Sequence, residues 1–146
     1  MRRLHRKPIL SPPLDPAKLR ILVYINTWGG TVKKTTKVFK ALSDETRVRI
    51  LKMLETRPLC VCEIQYVLKG SQPNVSHHLK TLYEAGLVES KKDGLWIAYR
   101  LPEKPETPFH AAALTLLRKS LVADETVKRD KTVVSSVNRI EITCRK

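Results

Sequence analysis

Acid is what this chain has least of among its charges. Its 146 residues carry 14 Asp and Glu against 28 Lys and Arg, a net charge of +14. Such an excess calls for a polyanionic partner, because each cation that neutralises a phosphate releases counterions. Long apolar runs are also missing. The longest aliphatic stretch, Ile21-Leu22-Val23-Tyr24-Ile25, falls far short of the ~20 apolar residues a membrane span needs. DNA or RNA therefore fits the charge and a membrane does not. Pro8, Pro12, Pro13 and Pro16 interrupt the basic N-terminus, where a signal peptide would need an apolar core, so a cytoplasmic location is expected. Cysteine is scarce. There are three, two of them almost adjacent, which argues against a disulfide framework and for thiols kept reduced for chemistry. No Gly-rich phosphate cradle, paired catalytic carboxylates, Ser-His-Asp or Cys-His arrangement is evident, and the Cys-x-x-Cys of a thiol oxidoreductase is missing. The expectation is a protein that is not an enzyme and needs no catalytic cofactor.

What is there falls into three parts. Residues 1–31 hold prolines, basic residues and Trp28-Gly29-Gly30 without a helical period. They read as a disordered or loosely packed basic arm, or as a segment ahead of a later start at Val32. Residues 32–123 carry regular patterns. Val38 and Leu42 mark a short first helix. Ser43-Asp44-Glu45 opens a second, with Ser43 as cap and the acids at the positive end of the dipole, and Val48, Ile50, Leu51 and Leu54 follow at helical spacing until Arg57-Pro58. Ile64, Val67 and Leu68 mark a third helix, closed by Gly70. A fourth starts at Ser71, tolerates Pro73 in its first turn, buries Val75, Leu79 and Leu82, and ends at Ala85-Gly86. Two strand-like runs then flank Lys91-Lys92-Asp93-Gly94, a hairpin signal. Beyond the proline-bounded linker 102–108, residues 109–121 read as a final helix with a small-residue face suited to packing on a twin. Residues 124–146 are expected to be a basic C-terminal tail. The pattern is mainly α with a small β-hairpin wing, a winged helix-turn-helix that dimerises.

On that fold the fourth helix is the reading helix, since a recognition helix enters the major groove by its N-terminal end. Gln72, Asn74, Ser76 and His77 occupy its first turns, with Ser71 at its start and Lys80 further along. Amides and hydroxyls there can bond base edges, and Gln and Asn can each pair with adenine. Lys91 and Lys92 on the wing suit the DNA backbone or minor groove. Singly, each is an ordinary polar surface residue. Together with the hairpin and the charge they point to DNA.

Four ordered segments carry a more specific signal. They are Val38-Phe39-Lys40-Ala41-Leu42-Ser43-Asp44-Glu45-Thr46-Arg47, Leu59-Cys60-Val61-Cys62-Glu63-Ile64, Ser71-Gln72-Pro73-Asn74-Val75-Ser76-His77-His78-Leu79 and Ala85-Gly86-Leu87-Val88. In these the chain resembles the ArsR/SmtB family of metal-responsive bacterial repressors. The resemblance implies a homodimer joined through its first and last helices, bound to double-stranded operator DNA and released by an effector. It implies DNA contact by Gln72, Ser76 and His77, and leaves His78 either packed or bonded within the protein.

Cys60 and Cys62 are two residues apart, and within a helix their sulfurs would diverge. At a helix start they can converge, and there the dipole favours the metal-binding thiolate. The family resemblance implies that Leu59-Cys60-Val61-Cys62-Glu63 senses trivalent arsenic or antimony, with Gln65 standing where a third cysteine is expected. Cys144 is the remaining candidate for a third sulfur, beside solvent or a small thiol. His110 and Asp124 are too sparse for the zinc or nickel sites of relatives, and no N-terminal cysteines of the cadmium or lead type are present. Two alternatives stay open: a redox or reactive-sulfur-sensing repressor of the same fold, and a basic RNA-binding or structural protein whose cysteines are inert, buried small hydrophobes.

Overall fold

A computed structural model describes residues 32–138 and residue 142. Six helices and three strands follow in order: α1 (Val32–Leu42), α2 (Glu45–Leu54), β1 (Leu59–Cys60), α3 (Val61–Leu68), α4 (Gln72–Glu84), β2 (Glu89–Asp93), β3 (Trp96–Arg100), α5 (Pro108–Lys119) and α6 (Glu125–Ser136). The basic arm expected over residues 1–31 lies outside the described residues, as does Cys144.

The apolar spacings set the core. Val38 and Ala41 of α1, Ile50, Leu51 and Met53 of α2, Ile64 of α3, and Val75, Leu79 and Leu82 of α4 are all essentially inaccessible to solvent. They form one cluster, which Leu59, Leu87 and Val88 complete. Burial of this apolar surface is the main force assembling the helices. α2 is capped by Asp44, whose Oδ1 accepts from the Arg47 N–H at 2.9 Å. Ser43, expected as the cap, instead donates to the Lys40 carbonyl and closes α1. At the other end of the reading unit, the Gly86 N–H donates to the Tyr83 carbonyl and the Leu87 N–H to the Leu82 carbonyl. That is a Schellman closure, with Gly86 at φ +70° supplying the left-handed residue it needs.

The sheet has one strand more than the expected hairpin. β1 joins it antiparallel, with Leu59 opposite Tyr99 and Cys60 opposite Ala98, giving the order β1-β3-β2. The hairpin turn also lies one step later than Lys91-Lys92-Asp93-Gly94. Lys91, Lys92 and Asp93 belong to β2, and Gly94-Leu95 is the turn, with Gly94 at φ +62°. Leu87 and Val88 precede the strand because both are buried, whereas alternate residues of a strand point to opposite faces.

The largest departure from expectation is α6. Residues read as tail form a helix whose N-cap, Asp124, accepts from the Val127 N–H at 2.9 Å. Val127 and Val134 bury its thin apolar stripe, and charges complete the docking. Arg49 of α2 grips the buried Asp130 carboxylate with two bonds of 2.7 and 3.0 Å. That bond to Asp130 chiefly raises the Arg49 pKa above its ordinary value, so the guanidinium stays charged. Lys131 reaches Glu55 at 2.6 Å. Lys52, at 1% exposure, bonds Glu55 and the Leu117, Arg118 and Ser120 carbonyls. A cation at the C-terminal end of α5 satisfies carbonyls that have no helical partner.

Candidate nucleic-acid interface and thiol site

α4 divides cleanly. Val75, Leu79 and Leu82 are buried, while Ser71, Gln72, Asn74, Ser76, His77 and Lys80 are exposed. Ser71 holds the N-cap position with extended backbone (φ −78°, ψ 149°), yet its side chain makes no capping bond. First-turn N–H groups of a helix carry the positive end of its dipole and suit a phosphate oxygen. Lys80 lies 3.9 Å from Glu84, an exposed pair worth little in water. His78 turns back instead: it is half-buried and its Nδ1 lies 3.7 Å from Asp44, the α2 cap. Its Nδ1 is buried without a hydrogen bond.

The two wing lysines point to opposite faces of the ribbon. Lys91 lies opposite Ala98 and Lys92 opposite Ile97. Neighbouring residues of a strand face opposite sides, so the two ammonium groups leave opposite faces of the ribbon.

At the other end of the unit, Cys60 is the N-cap of α3 and Cys62 lies in its first turn. The sulfurs converge as the helix-start argument expected. Against the expectation of reduced thiols, they are bonded to each other. Cys60 is 3% exposed and Cys62 is half-buried. Glu63, itself buried, accepts from the Cys60 N–H at 2.8 Å with one oxygen and from Arg57 at 2.8 Å with the other. The second nitrogen of Arg57 donates to the Val134 and Val137 carbonyls, at 3.0 and 2.7 Å. A chain of charge-assisted bonds thus runs from the thiol pair to the end of α6. Sequence reasoning saw Arg57 only as part of a helix stop.

A groove opens beside the sulfurs, lined by Cys60, Cys62, Gln65, Gln72 and Trp96 among others. It brings the thiol pair, the first residue of α4 and the wing onto one wall. Two thiolates suit a thiophilic metalloid. Among the described residues no group of three His, Cys, Asp or Glu comes together for a metal. His110 is accounted for elsewhere: it is buried, with Nδ1 2.8 Å from the Thr107 hydroxyl and Nε2 2.9 Å from the Ala85 carbonyl.

Comparison with known proteins fits this geometry. Residues 44–90 match the model for "bacterial regulatory protein, arsR family". The chain is 47% identical over 68 residues to an uncharacterized HTH-type transcriptional regulator of Methanocaldococcus jannaschii, covering 46% of this chain and 76% of that one. It is 41% identical over 85 residues to the arsenic resistance transcriptional regulator ArsR2 of Pseudomonas putida, covering 57% of this chain and 74% of the relative. Among solved structures, the homodimeric winged helix-turn-helix DNA-binding domain of a possible ArsR-family regulator from Mycobacterium bovis superposes with a TM-score of 0.51. At 24% identity, over 79% of this chain and 92% of that one, that likeness speaks for the fold.

Proposed function

This chain belongs to the arsR family of bacterial regulatory proteins, and we propose that it is a homodimeric repressor released from its operator by trivalent arsenic or antimony held at Cys60 and Cys62. Membership makes it a DNA-binding transcriptional regulator and not an enzyme. It also removes the footing of the RNA-binding and structural alternatives.

The observation that carries the finer reading is the meeting of the two sulfurs at the start of α3, the helix that packs directly against α4. Bound there, the metalloid supplies thiophilic chemistry, and Cys60 and Cys62 are the residues that hold it. Cys144, the chain's remaining cysteine, is the candidate third ligand. Any change at the Cys60 backbone is felt by Glu63, because the Cys60 N–H bonds its carboxylate. A ligand shifts the DNA-binding equilibrium only by its preference for one state of the protein. DNA contact falls to Ser71, Gln72, Asn74, Ser76, His77 and Lys80 on α4 and to Lys91 and Lys92 on the wing. α1 and α5 supply the dimer face. They touch through Phe39 and Phe109, ring centres 5.4 Å apart, and still expose Phe39 and Leu116 at 61% and 71%. A repressor with these properties works in the cytoplasm.

The test is binding to double-stranded DNA from the protein's own upstream region, at fixed salt under reducing conditions, titrated with arsenite, antimonite, cadmium and zinc. Release by the first two alone is expected. The double variant Cys60→Ser, Cys62→Ser should bind DNA and no longer let go; normal release from it would move the sensing site elsewhere. Cys144→Ser should raise the arsenite concentration needed if Cys144 is the third ligand.

One observation favours a second reading. The bond between Cys60 and Cys62 is itself a state that an oxidant makes and a reductant reverses. A redox-sensing repressor would lose DNA on oxidation and ignore every metal.

A further inference from the structure

The two sulfurs are not equivalent. Cys60 is 3% exposed, paired with Ala98 across the sheet and tethered to Glu63 through its N–H. Cys62 is half-buried and opens on the groove, whose wall also carries Lys69 and Arg129. Asp130 lines the same groove, but its carboxylate is taken by Arg49. Arg129 also lies 3.9 Å from that carboxylate, yet Arg49, Lys69 and Arg129 against the single Asp130 leave the groove lining positive.

Exchange at a disulfide begins when a thiolate reaches one sulfur, and it favours the accessible sulfur and the better leaving thiolate. Both conditions select the same direction here. Cys62 offers the surface. Cys60, at the N-cap of the eight-residue α3, leaves as a thiolate at the positive end of the helix dipole.

We propose that Cys62 is a modification site for a small anionic thiol. The incoming thiolate forms a bond to Cys62 Sγ, and the Cys60–Cys62 bond breaks. Cys60 Sγ leaves with the electron pair as a thiolate, and no other oxidant enters because the disulfide is the oxidised partner. With Cys62 capped, a single sulfur of the pair remains for a metalloid. Thiolation and metalloid binding then exclude one another, a consequence that rests on reading the pair as the sensing site.

The experiment uses the full chain in its disulfide form. It is mixed separately with glutathione, 2-mercaptoethanol and cysteamine (an anionic, a neutral and a cationic thiol) at matched thiolate concentration. The released protein thiol is trapped with N-ethylmaleimide, and peptides are mapped by mass spectrometry. The expected product carries the small thiol on Cys62 and maleimide on Cys60. Glutathione should react about three- to tenfold faster than cysteamine, with the gap closing at high salt. Lys69→Ala with Arg129→Ala should narrow the same gap. The small thiol on Cys60 would overturn the assignment, as would no adduct from protein that dithiothreitol reduces readily. Equal or faster reaction with cysteamine would overturn the anionic class. The readout is a labelled peptide and involves neither DNA nor arsenite, so its failure is separable from failure of the repressor reading.

Discussion

α4 and α6 are similar in length, 13 and 12 residues, and both are largely polar, yet they use their polar side chains in opposite ways. α4 is held by three buried aliphatic residues, and its outward face, from Ser71 to His77, is exposed. α6 buries only Val127, Asp130 and Val134, and it docks on α2 through charged groups, Asp130 to Arg49 and Lys131 to Glu55, while Lys128, Arg129 and Thr132 stay exposed. Arg57 from the loop before β1 closes its C-terminal end. Apolar docking leaves a polar face available for something outside the molecule. Charge docking spends part of the polar side chains on the fold.

Substitutions can break that contrast. The largest effect is expected from Leu79→Ala in α4, about 3 kcal/mol of stability lost through the cavity it leaves, read as a shift in the urea midpoint; a loss under 1 kcal/mol would mean the apolar anchor is misplaced. Asp130→Ala should cost about 2–3 kcal/mol by leaving the Arg49 guanidinium partly buried and unpaired. If it proves neutral, the ion pair does not dock α6. Gln72→Ala or His77→Ala should leave the urea midpoint alone and weaken operator binding by about 1–3 kcal/mol, and wild-type affinity in both would remove α4 as the reader. On the wing, Lys91→Ala and Lys92→Ala should differ, because the two side chains leave opposite faces. The lysine on the side turned to DNA should reduce the salt slope of binding more, by about one unit; equal reductions would refute the split.

The smallest effect is expected at the exposed pair of Lys34 and Glu106. The hydrogen bond from Lys34, and then its charge, lower the Glu106 pKa from 4.5. A carboxylate with a depressed folded pKa adds stability above its unfolded value, and that stability is lost as pH falls through the folded value. Glu106→Gln should therefore flatten the acid limb of the stability curve only slightly, and change the melting temperature at pH 7 by no more than about 1 °C. A larger drop at pH 7 would show that this pair is no ordinary surface contact.

Periodicity made α1 to α4 legible because Val38, Ile50, Leu51, Val75, Leu79 and Leu82 repeat at the helical interval and all turn inward. Gly94 likewise announced the hairpin, although the turn includes Leu95 and leaves Lys92 in the strand. The thiol site was half legible: the spacing put Cys60 and Cys62 at a helix start, and a bond between them was not anticipated. α6 was hidden for a physical reason. Its stabilising partners, Arg49, Glu55 and Arg57, lie more than 70 positions away, and a buried Asp130 looks like a surface residue until Arg49 is seen beside it. β1 is two residues long and has no periodicity to detect. Lys52 carries no sequence signal of its role either, since a lysine on a helix suggests solvent and this one bonds three carbonyls at the end of α5.

His110 has a consequence for the spacing of DNA half-sites. Its ring joins the start of α5 to the Ala85 carbonyl at the end of α4. A Cβ at Gly86 would come within 3.1 Å of that ring. The joint is therefore tightly packed, and the His110 ring couples the end of α4 to the start of α5. In the proposed dimer along α1 and α5, this corner would help to set the distance between the two α4 helices. The proposed dimer would then favour half-sites within a narrow range of separations. A change at Gly86 or His110 would alter which operator spacing it accepts before it altered which bases it reads.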